Sequence, residues 1–125
     1  MRTSCLLAAL SALAEPAVAQ TLAIQGKTGY LGEYELSSNV SEHVANGKTE
    51  FSGPLIINHV GLCSRDGPKE TRGQISFRRI GSSRISAKLL FEGSECSYQG
   101  LLSETYHGFM DCADNTSLPL RLWAK

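Results

Sequence analysis

His59 and Cys63 stand four positions apart and are the nearest this chain comes to a thiol beside an imidazole. Such a pair supplies a nucleophile and its base, but only within hydrogen-bond reach. Four residues of extended strand span about 13 Å at ~3.3 Å per residue, so the pair needs a bend at Gly61. There is no C-x-x-C motif to support a disulfide oxidoreductase. His43, His59 and His107 show neither H-x-H nor H-E-x-x-H spacing, so neither a metal site nor any other cofactor is expected. G-x-S-x-G, P-loop and G-x-G-x-x-G motifs are also missing. Asp111 and Asp114 flank Cys112 near a turn, without a partner suited to glycosidase chemistry, and read as solvated. No catalytic constellation emerges, and an enzyme is not the expected class.

The cysteines point to a staple. Four become three once Cys5 leaves with an export signal, and an odd count in an exported protein implies one bridge and one remaining thiol, or a bridge between molecules. That signal is residues 1–19: Arg2 gives a positive start, Leu6 to Leu13 an apolar core, and Ala17-Val18-Ala19 an A-x-A cleavage site before Gln20. The expected location is periplasmic or secreted. No later stretch reaches the roughly 20 apolar residues of a spanning helix, so no transmembrane segment is expected. Arg2 and Glu15 leave together, and the formal charge stays balanced. Net charge therefore gives no attraction to nucleic acid. Residues 20–125 are enough for one domain with its own core.

The elements that position these residues read as strands. Tyr34, Leu36, Ser38 and Val40 alternate with polar neighbours, and Asn46-Gly47 is a type I′ hairpin signal. That turn sets Tyr34 against His59, Leu36 against Ile57, Ser38 against Leu55 and Val40 against Gly53. A loop at Gly81-Ser82-Ser83 sets Ile75 against Leu89 and Phe77 against Ala87. A II′ turn at Gly93-Ser94 sets Leu89 against Tyr98 and Phe91 against Cys96. The near-palindrome centred on Glu104 sets Cys96 against Cys112 and Gly100 against Gly108. A last pairing of Met110 with Leu120 completes an inner row of Leu89, Tyr98, Met110 and Leu120. The expected architecture is all-β, an antiparallel meander of about seven strands closing into a small barrel, with a two-sheet sandwich as the alternative. The expected bridge joins Cys96 to Cys112, with Cys63 as an alternative partner of either.

Two sites follow from these registers. On the outer face Leu101, His107 and Trp123 fall in one row with Phe109 beside it, an apolar and aromatic cluster. It is either covered by Thr21 to Leu31 or Ser64 to Thr71, or it is a surface for a protein partner or for self-association. On the inner face Ala87, Gly100, Gly108 and Leu122 form a row with little side-chain volume. These glycines either serve bends or leave a cavity for a small apolar ligand, lined by Tyr34, His59, Phe77, Tyr98, Gly100, Tyr106, Gly108 and Met110. The leading expectation is an exported, non-enzymatic binding module, an inhibitor among its possible roles, acting through the outer patch; the alternative is a ligand carrier. Arg78, Arg84 and Lys88 form an outward basic stripe without the interleaved aromatics of a nucleic-acid platform.

Overall fold

The computed structural model describes residues 20–60 and 69–125. Its strands, in chain order, are β1 (Thr21–Thr28), β2 (Tyr34–Ala45), β3 (Lys48–His59), β4 (Lys69–Gly81), β5 (Arg84–Phe91), β6 (Ser94–Leu101), β7 (Gly108–Cys112) and β8 (Ser117–Ala124). Each pairs antiparallel with its chain neighbours, and β1 pairs with β8 to close a barrel. Closure sets the sandwich aside. The eighth strand is β1, so Thr21–Thr28 forms part of the barrel wall and does not lie over the outer face.

The seam depends on a small residue. Gly26 pairs with Leu122 across β1 and β8, and a Cβ there would lie 2.6 Å from both the Arg121 carbonyl oxygen and Leu122 Cδ2. Only a glycine lets the two strands approach this closely without a backbone shift.

Several registers follow the turn chemistry. Tyr34, Leu36 and Ser38 face His59, Ile57 and Leu55, and Asn46 and Gly47 both carry the positive φ of a I′ turn. Pairing between β2 and β3 is interrupted opposite Gly53-Pro54, where proline has no N–H to give the ladder. Ile75 and Phe77 face Leu89 and Ala87. The turn there is shorter than expected, because Gly81 pairs with Arg84 and the offset is absorbed by an irregularity between Arg79 and Gly81.

Two registers differ from expectation. Between β5 and β6, Leu89 faces Cys96 and Ala87 faces Tyr98, since the turn is Glu92-Gly93, both at positive φ. A I′ turn matches the right-handed twist of the flanking strands, and this gain outweighs the local cost of glutamate in that conformation. Between β7 and β8, Met110 faces Leu118 and Gly108 faces Leu120. Here Cys112 N–H donates to the Thr116 carbonyl at 2.9 Å and Asn115 N–H to the Cys112 carbonyl at 3.0 Å, with Asn115 at positive φ. Both corrections are shifts of two residues, so the inward set is unchanged.

That inward set is the core, with Val40, Leu55, Ile75, Ile85, Leu89, Met110, Leu120 and Leu122 all buried and Phe51 stacked on Phe77 at 5.1 Å between ring centroids. The outer face carries Arg72, Gln74, Ser76, Arg78 and Lys88, the inverse of a membrane-spanning barrel with its apolar exterior. No helix among the described residues is long and apolar enough to cross a membrane. Cys96 and Cys112 face each other and are joined by a disulfide; Cys63 lies outside the described residues, as do residues 1–19.

Two outcomes test this account. Gly26→Ala should lower stability by roughly 1–3 kcal/mol through overpacking at the seam, read from the midpoint of urea unfolding. Replacing Cys96 and Cys112 together by alanine should cost about 3 kcal/mol, the loop-closure value for a ring of this size, and an unchanged unfolding midpoint under reducing conditions would count against the bridge.

Candidate functional site

The two ends of the barrel are built differently. At one end, beyond β6, the chain folds back inward: Leu102 N–H donates to the Ser83 carbonyl at 2.7 Å, and Leu102 forms an isolated bridge with Leu122. Leu102 and Tyr106 pack against the core there. Tyr98 is fully buried and donates its hydroxyl to the Leu101 carbonyl at 2.9 Å. A Cβ on Gly100 would meet Tyr106 Cε1 and Tyr98 Oη, both at 2.7 Å, and one on Gly108 would meet Tyr98 Cε1 at 2.8 Å. The space left by the two glycines is therefore filled by the two tyrosine rings. The expected row of Ala87, Gly100, Gly108 and Leu122 does not form, because Ala87 faces Tyr98, Gly108 faces Leu120 and Leu122 faces Gly26.

The opposite end is open among the described residues. A cavity of about 350 Å³ enters the barrel there, lined by Thr28, Tyr34, Leu36, Ile57, His59, Lys69, Thr71, Phe91, Glu92, Met110 and Leu118. Strand ends supply most of the wall, with Glu92 from the β5–β6 turn and Met110 from the middle of β7. Tyr34 begins β2 and His59 ends β3, with their rings tilted and 4.9 Å apart between centroids. Lys69 begins β4 and pairs with His59. Thr28 ends β1, and its hydroxyl donates to the Pro119 carbonyl at 2.6 Å; the Thr71 hydroxyl donates to Glu92 Oε1 at 3.3 Å. Leu36, Ile57 and Met110 are buried below this rim. Among the described residues no group of three His, Cys, Asp or Glu is placed to hold a metal ion.

Of the residues singled out for a cavity, Tyr34, His59 and Met110 lie in this one. Phe77 is in the core against Phe51, and Tyr98, Gly100, Tyr106 and Gly108 form the closed end. Residues that pattern reading missed, including Thr28, Leu36, Ile57, Lys69, Thr71 and Leu118, share one signal. They are the last one or two inward-facing positions of their strands, where the apolar alternation acquires hydroxyls and an ammonium.

The outer row of Leu101, His107 and Trp123 is not formed either. Leu101 pairs with Arg84, and the β6–β7 pairing runs only over Cys96–Tyr98. The shifted β7–β8 register sets Phe109 beside Pro119, and Trp123 pairs instead with Gln25 of β1. The Arg121 guanidinium lies over the Trp123 ring, 5.5 Å from its centroid. Leu101 and Trp123 are half-buried, His107 is exposed, and Phe109 is 57% exposed. His59 and Cys63 cannot be placed relative to one another, because Cys63 is outside the described residues.

Burial, with a smaller contribution from Tyr106, pushes the Tyr98 phenol up from 10.0 to about 12. The neutral phenol is favoured by the fold, so its stabilisation is complete below the unfolded pKa near 10 and is lost as pH rises through about 12. The urea-unfolding midpoint of wild type should fall over that window, and Tyr98→Phe should flatten the dependence there.

Comparison with protein-family models, with curated proteins and with solved structures finds no match for this chain.

Proposed function

We propose that this protein is an exported carrier of a small, largely apolar ligand, bound in the open end of the barrel. The observation that carries this reading is the cavity of about 350 Å³ between the Tyr34–His59 pair and the buried Leu36, Ile57 and Met110. Ligand sites are typically concave, mostly apolar and about 300–1,000 Å³ in size, with a few polar groups that fix orientation. An eight-stranded closed barrel is just wide enough to hold one small ligand. Export rests on the charged, apolar and A-x-A pattern of residues 1–19, and a disulfide suits a periplasmic or secreted location.

A second reading, a module that binds a protein partner through its outer face, is supported by the exposure of Phe109 beside Pro119. A lone aromatic can anchor an interface. The carrier reading is preferred because the other members of the outer cluster are half-buried or in separate rows, whereas the cavity walls converge.

Leu118→Trp separates the two. Leu118 is a half-buried cavity wall residue, and a tryptophan there occupies the space a ligand needs. Displacement of an environment-sensitive fluorophore should show apolar-ligand affinity falling by about tenfold or more, roughly 1.4 kcal/mol, with the unfolding midpoint nearly retained. Unchanged affinity in the filled variant would remove the cavity from the function.

A further inference from the structure

We infer that the ligand is a single-chain amphiphile with an anionic head, its chain directed inward past Leu36 and Ile57 and its head held at the row Tyr34, His59, Lys69. This inference rests on the carrier reading above and names the ligand class. The row is a product of register: Tyr34 pairs with His59 across β2 and β3, and His59 pairs with Lys69 across β3 and β4. Three adjacent strands thus bring a phenol, an imidazole and an ammonium side by side at the cavity mouth. One step deeper the same three strands place Leu36, Ile57 and Thr71 in the next row, and Met110 and Leu118, paired across β7 and β8, also line the cavity. Polarity therefore changes along the barrel axis, with donors at the rim and apolar surface below. A ligand complementary to that gradient is polar at one end and apolar along the rest of its length.

The sign of the head follows from the charges at this rim. Lys69 is the one lysine or arginine among the described lining residues, and Tyr34 and His59 add O–H and N–H donors to the same row. Glu92 is the one carboxylate among the described lining residues, and it and several neighbouring carboxylates have partners of their own. Glu92 accepts from Thr71, Glu33 from the Leu31 N–H at 2.8 Å, Asp114 from the Thr116 N–H at 3.0 Å, and Glu70 is paired with Arg72 at 2.8 Å. An anionic oxygen at the row gains charge-assisted hydrogen bonds, which are stronger than those to a neutral hydroxyl. A cationic head is repelled by the Lys69 ammonium in that row.

The test compares heads on one chain length, using laurate, dodecanol and dodecyltrimethylammonium against the mature protein by fluorophore displacement. Laurate should bind about tenfold tighter than dodecanol, as a charge-assisted hydrogen bond allows, and the cation should bind weakest. Lys69→Gln should bring laurate to within about twofold of dodecanol, weakening laurate far more than dodecanol, with the unfolding midpoint retained. Dodecanol binding as tightly as laurate, or Lys69→Gln weakening both alike, overturns the anionic head and leaves the carrier reading in place. Absence of binding by all three chains, with Leu118→Trp indistinguishable from wild type, overturns the carrier reading and this inference with it.

Discussion

Closing the ladder between β1 and β8 is the constraint on which the other features depend. An open meander leaves two rows of unpaired N–H and C=O groups at its edges, a standing route to aggregation. Pairing Ile24–Thr28 with Leu120–Ala124 removes both edges and sorts the chain into two sets of residues. Inward positions share one enclosed volume, and outward positions meet water. The seam requires Gly26, where β8 comes too near for any Cβ. A residue without a side chain thus makes possible a core formed by residues far apart in sequence.

Once closed, an eight-stranded barrel has an interior that side chains can just fill or just leave open, and this chain does both. At the β6–β7 end, Tyr98 and Tyr106 lie where Gly100 and Gly108 have no side chains, with the Tyr98 hydroxyl satisfied by the Leu101 carbonyl. Two large rings against two glycines conserve volume and shut that end. At the other end, the inward positions carry intermediate or polar side chains, Thr28, Leu118, Thr71 and His59, and among the described residues no ring spans the barrel there. The location of the cavity follows from where the aromatic volume is spent. The buried Ser38 hydroxyl, without a hydrogen-bond partner among the described residues, is a local departure from this ordering.

Polar groups at the open rim are positioned by strand pairing more than by hydrogen bonds between side chains. Tyr34, His59 and Lys69 are neighbours because the β2–β3 turn and the β3–β4 register place them in one row. Their backbones are anchored on paired strands, while Thr28 and Thr71 are tied to Pro119 and Glu92. The outer face lacks such convergence: Phe109 projects beside Pro119, and Trp123 is engaged by Arg121 and by its pairing to β1.

Alternation and turn residues in the sequence determined which residues face inward, the I′ turn at Asn46-Gly47, the register of Cys96 with Cys112 and the all-β antiparallel meander, because side-chain facing has a period of two and turn chemistry is local. Closure into a barrel rather than a sandwich was decided by the β1–β8 pairing. The tertiary structure decided the offsets. Sliding β6 or β8 by two residues keeps every inward side chain inside, so the pattern cannot separate Leu89–Tyr98 from Leu89–Cys96, or Met110–Leu120 from Met110–Leu118. Those offsets in turn decide which inward residues share a row. The sequence pattern therefore named Tyr34 and His59 as inward neighbours but put the empty space beside Gly100 and Gly108. Only closure of the barrel, which packs Tyr98 and Tyr106 against those glycines, moved it to the opposite end.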